Sequence, residues 1–191
     1  MARIESKVLF ITTSPRTPFR MIPEIELLHT HFSGQKWDTK TQTAFMQLLR
    51  EENFFYGEGA NDPAFSARDR INRAPKALGF VTLSPVIGLT AAGKELIQTK
   101  RKEEIFLRQL LKFQLPSPYH KPTDKAAVFW IKPYLEIFRL IRYFGSLSFD
   151  ELMLFGLQLI DYRAFDQIVS KIEKFRQDKA QTSLNYKAFR N

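Results

Sequence analysis

The sequence of 191 residues has no cysteine. Disulfides, cysteine-ligated zinc, iron–sulfur clusters and thiol nucleophiles are therefore excluded, and the chain suits a reducing compartment. Histidines number only 3. His29 and His31 form an H-x-H pair with His120 far off in sequence, which lacks the spacing of a metal site. No metal ligand is expected. The 8 glycines are not arranged as a phosphate-cradling loop or a serine-hydrolase elbow. No apolar run approaches membrane-spanning length. The run Val8 to Ile11 is too short for a signal peptide and has no small-residue cleavage site after it. A cytoplasmic protein without a membrane partner is expected. Asp38-Thr39-Lys40 has the short form of a nuclease carboxylate motif. No upstream Pro-Asp accompanies it, Thr39 reads as a helix cap, and no catalytic residue is expected.

What the chain does have is phenylalanine and positive charge. Phe 18 and 44% hydrophobic residues are enough to fill the core of one ordinary domain or two small ones. The formal net charge is +9 and the sequence pI about 9.8, which points toward a polyanionic partner. Residues 1–100 carry 13 Lys+Arg against 10 Asp+Glu, and residues 101–191 carry 16 against 10. A folded basic surface explains that spread better than a charged tail.

Residues 65–99 are the most informative stretch. A basic helix with Arg68, Arg70, Arg73 and Lys76 comes first, then Gly79, then two short apolar strands around Ser84-Pro85, then a helix capped by Thr90. That order predicts the back half of a winged helix-turn-helix, whose cationic helix fits the DNA major groove. Ser66 is the expected N-cap of this helix. Pro75 implies either a kink or an end near Arg73. Arginine pairs with guanine O6 and N7, and asparagine with adenine N6 and N7. Arg68, Arg70, Asn72 and Arg73 are thus candidate base readers, with Asp69 holding an arginine or accepting from cytosine. Exposed intrahelical charge pairs are the alternative for the same residues.

Elsewhere, residues 7–13 read as a short strand and Ser14-Pro15-Arg16-Thr17-Pro18 as a rigid turn. Ser14, Arg16 and Arg20 beside it are candidate phosphate contacts. Pro23 opens a helix, and Thr39 with Gln42 matches a capping box for the next one. A polar connector at 100–104 sets a soft boundary between subdomains 1–100 and 101–191. The second half is expected to hold helices over about 103–114, 131–144 and 164–180. A capping box at Ser148 and Glu151 gives it a second helix-turn-helix plan. Lys112, Gln114, Ser117, His120 and Lys121 bracket a proline-rich segment and are further candidate DNA contacts. The predicted fold class is mainly α, with short β-hairpin wings in tandem winged-helix-like subdomains.

Several segments together resemble the N-terminal region of AlwI-type restriction endonucleases, which are Type IIS and related nicking enzymes. They are SPRTP at 14–18, FSARDR at 65–70, GF…LTAAGK at 79–94, FLRQLLKFQLPSPYHK at 106–121 and GSLSFDELMLFGL at 145–157. The resemblance implies a DNA-recognition module for double-stranded DNA, with a Mg²⁺-dependent PD-(D/E)xK nuclease domain expected outside this chain, in cis or in trans. It carries the family's SPR turn onto Ser14, Pro15 and Arg16, and its SxRDR helix onto Ser66, Arg68, Asp69 and Arg70. No cofactor is expected for the chain itself, which should act as a monomer. The alternative from another class is a winged-helix transcriptional regulator, which would normally dimerise on a palindrome.

Overall fold

The computed structural model describes residues 18–54, 62–116 and 129–182. They fall into two compact units divided between Leu110 and Leu111. The strand expected at 7–13, residues 14–17 of the expected turn, and residues 55–61 and 117–128 lie outside the described residues.

In the first unit, a short turn Pro18–Arg20 leads into α1 (Met21–Phe32). Pro23 sits in its first turn, where a missing N–H costs nothing. Met21, Ile22, Ile25, Leu28 and Phe32 are buried at helical spacing. α2 (Thr39–Glu51) is capped by Asp38, which accepts the Thr41 N–H at 3.0 Å. Thr39 was the expected cap, but it is the first helical residue; the carboxylate one position earlier does the capping. Gln42 therefore does not close a capping box, and its amide donates to the Trp37 carbonyl at 2.9 Å.

α3 (Pro63–Asn72) likewise starts about one turn before the expected Ser66. Asp62 accepts the Phe65 N–H at 2.8 Å, and Pro63 takes the first helical position. The chain breaks at Arg73, where ψ is −92°, instead of kinking through Pro75. A separate turn, α4 (Ala74–Ala77), follows.

The expected hairpin is present. β1 (Val81–Thr82) pairs antiparallel with β2 (Gly88–Leu89), with Val81 opposite Leu89. Phe80, Val81, Leu83 and Ile87 are buried, while Ser84, Pro85 and Val86 form the exposed tip. Gly34 N–H donates to Ile87 O at 2.9 Å, and Ile87 N–H donates to Gln35 O at 2.8 Å. The hairpin is thereby tied to the connection between α1 and α2. Thr90 caps α5 (Ala91–Gln98) as expected, accepting the Gly93 N–H at 3.0 Å. α6 (Lys102–Lys112) brings Phe106 edge-on to Phe80, ring centres 5.3 Å apart.

In the second unit, Leu115 and Ile131 exchange backbone hydrogen bonds of 2.8 and 2.9 Å, and Trp130 bridges to Asp161. Because Ile131 is held in that bridge, α7 (Pro133–Phe144) starts two residues later than the hydrophobic pattern predicts. Gly145, at φ 76°, ends it, in the left-handed geometry that glycine adopts at little cost. α8 (Phe149–Leu154) has the predicted box, with Glu151 N–H on Ser148 Oγ at 3.2 Å and Ser148 N–H on Glu151 Oε2 at 2.7 Å. α9 (Phe165–Thr182) buries Phe165, Ile168, Val169, Ile172 and Phe175 against Leu140, Leu154 and Leu159. Arg176, on the border of that face, donates to Glu151 and to the Ser146 carbonyl, both at 2.7 Å. No described helix is long and apolar enough to cross a membrane.

Candidate nucleic-acid interface

α3 packs chiefly against α2 and buries Ala64, Ala67 and Ile71. At helical spacing that turns Phe65, Asp69 and Asn72 outward as one stripe, with Arg68 and Arg73 on its borders. Ser66 is half-buried beside it. Of the sequence-predicted residues, Arg68, Asp69, Asn72 and Arg73 thus share a face. Lys76 follows on α4, half-buried.

Arg70 does not belong to that face. It lies on the flank toward α1 and is ion-paired with Glu24, a residue only 1% exposed. Burial pushes the Glu24 carboxyl above its ordinary pKa, and the Arg70 guanidinium works against that shift. A guanidinium needed inside the fold is not free for guanine, so the expectation of Arg70 as a base reader is corrected. It is a positioning residue that fixes α3 against α1.

The other two arginines are held more loosely. Arg68 donates to Gln42 Oε1 at 2.8 Å and lies 3.8 Å from Asp62. Arg73 Nε is 2.6 Å from Asp69, so Asp69 does hold an arginine. Exposed pairs of this kind contribute about 0–1 kcal/mol and give way readily to a better anion.

Asn72 is set by a residue that sequence reasoning overlooked. The Trp37 indole N–H donates to Asn72 Oδ1 at 3.1 Å. Because that indole nitrogen can only donate, it assigns Oδ1 to the acceptor side of the amide and leaves the two Nδ2 hydrogens as the remaining donors of an exposed residue.

The remaining candidates are more scattered. Arg20 is exposed at the start of α1, where its charge lowers the Glu24 pKa. Lys112 and Gln114 are exposed beyond the division between the units. Ser14, Arg16, Ser117, His120 and Lys121 lie outside the described residues.

Asp38 is held below its usual pKa by the Thr41 N–H; its carboxylate serves the helix cap. His29 and His31, two apart on α1, point to nearly opposite sides and cannot chelate one ion together. Among the described residues no cluster of three or more His, Asp or Glu is placed to hold a metal.

The sequence could have signalled one further residue. Glu24 falls on the apolar stripe of α1, beside Met21, Ile25 and Leu28, and an acid there requires a buried cation.

A helix offering arginine and amide donors, in the same unit as a hairpin and in a chain of net charge +9, defines a helical protein suited to a polyanion. A sequence profile for the family described as AlwI restriction endonuclease matches residues 76–190, and the chain belongs to that family. The match starts at Lys76, so it takes in the hairpin, α5, α6 and the described part of the second unit. No curated protein matches the chain. Family membership gives a restriction-type function directed at DNA.

Proposed function

We propose that the chain is the DNA-recognition part of a Type IIS-like restriction or nicking endonuclease, binding an asymmetric double-stranded site as a monomer. In this reading a PD-(D/E)xK nuclease domain, in cis or in trans, cuts at a fixed distance and brings its own Mg²⁺. The observation that carries the reading is the outward face of α3, with Asn72 aimed by Trp37 and Arg73 beside it. The element order supports it too. The hydrogen bonds joining Ile87 to Gly34 and Gln35 brace the hairpin against the α1–α2 connection, as a wing flanking a recognition helix would require. The α7–turn–α8 hairpin supports a second winged-helix plan less well, because the exposed residues of α8 are Phe149 and Met153 and its first turn is acidic.

Selection of bound duplexes from a random pool tests the reading, with one non-palindromic motif expected. Asn72→Ala should then relax one base position, losing about 1–3 kcal/mol on the selected site and little on random duplex. Lys112→Ala should weaken all sequences alike. With about six phosphates contacted, log K should fall against log salt with a slope of about −5. A palindromic motif bound by a two-fold dimer would refute monomeric recognition. Equal losses for Asn72→Ala on selected and random duplexes would refute base reading by α3.

A further inference from the structure

A pocket of about 500 Å³ opens in the second unit, within the roughly 300–1,000 Å³ typical of small-molecule sites. Its walls are Trp130, Tyr162, Leu115, Ile131 and Leu135, with Gln114 and Lys132 at its edge. We propose that it holds one unstacked nucleobase of DNA, an inference that rests on the DNA reading above.

Two large aromatics stand in water there, Trp130 at 63% and Tyr162 at 48% exposure. Fraying does not explain it, because their backbone is locked. Trp130 N–H donates to Ile160 O at 2.9 Å, and Tyr162 N–H donates to Trp130 O at 3.1 Å. The adjacent Leu115–Ile131 bridge forms a rigid floor. Exposed rings on a fixed base are what a stacked nucleobase uses, whatever its sequence.

The electrostatics favour the same occupant. Glu136 is the one acid among the lining residues; it is buried and bonded by Arg139 at 2.7 Å, which compensates its charge. Lys132 makes no ion pair with a described residue, which leaves its ammonium for a phosphate. The Gln114 side chain has no described hydrogen-bond partner, and its amide can donate to and accept from a base edge. An apolar peptide would use the walls and leave both of these groups idle. Taking a base out of a duplex costs a few kcal/mol, so the pocket should favour single strands over intact duplex.

The test uses the full chain with labelled oligothymidylate and labelled random duplex, at one salt concentration, followed by anisotropy and tryptophan emission. Oligothymidylate should quench the emission, and Trp130→Ala should abolish the quenching. Trp130→Ala and Tyr162→Ala should each weaken single-strand binding by about 5- to 150-fold, Trp130→Phe should restore most of it, and duplex binding should stay unchanged. Circular dichroism on each variant checks that the fold is kept. If duplex still binds but neither alanine variant affects single strands, the pocket is not a base site and the DNA reading stands. Equal losses on both substrates would assign Trp130 to general backbone contact and also overturn the proposal. No binding to either DNA at low salt would overturn both readings.

Discussion

Arg70→Ala separates two accounts of the basic helix, because they predict different losses. Arg70 reaches 46 residues back in sequence to pair with Glu24, whose side chain is 2% exposed. Removing the guanidinium leaves a carboxylate enclosed without its ion partner. Breaking a buried pair in this way costs about 3–5 kcal/mol, a large part of the roughly 5–15 kcal/mol that holds a domain folded. Glu24 can escape some of that cost by taking up a proton, since burial already raises its pKa above 4.5. A group whose folded pKa is raised favours the fold below its unfolded pKa, and that benefit fades as pH rises through the folded value. The variant should therefore be least stable, relative to wild type, at neutral pH and should recover part of the difference near pH ~4. Removing both charges with Glu24→Leu and Arg70→Met should restore near-wild-type stability. Urea unfolding followed by far-ultraviolet circular dichroism at the two pH values measures all of this. A wild-type midpoint for Arg70→Ala, together with lost preference for the selected duplex, would refute the argument and return Arg70 to the DNA face.

Two further outcomes follow from local geometry. A Cβ at Gly93 would run into the Phe80 carbonyl, so Gly93→Ala should destabilise the first unit by about 1–3 kcal/mol or more, seen as a lower unfolding midpoint. In the second unit, burial disfavours the Glu151 carboxylate, but the bonds from Arg176 and Ser148 outweigh it and hold the pKa below 4.5. Its stabilisation is present above that value and is lost as pH falls through the lowered one. Acid unfolding of this unit should be correspondingly steep, and Glu151→Gln should flatten it; an unchanged acid transition would show that the Arg176 contact contributes nothing.

Local signals in the sequence match the local structure. The hairpin, the Thr90 cap and the Ser148–Glu151 box all follow from short-range chemistry, and all appear. The misplaced helix starts have a common cause. Asp38-Thr39 and Asp62…Ser66 each offer two acceptable caps, and spacing alone does not rank them. What the sequence hid was long-range. The partner of Arg70 lies on α1, that of Arg68 on α2, and that of Asn72 between those helices, so counting basic residues along one helix overstated what it offers to DNA. Trp130 and Tyr162 are joined by a backbone hydrogen bond across some thirty intervening positions, and no local pattern announces their pocket.

The two hydrogen bonds at Ile87 also have a mechanical result. The β-hairpin cannot tilt on its own, because any lean would pull on the connection that leads from α1 into α2, and α2 in turn packs on α3. Strain applied at Ser84 to Val86 would therefore be felt along the whole helical pair. Lengthening the tip should leave that linkage intact, whereas inserting a residue between Gly34 and Asp38 should let hairpin and helix drift out of step.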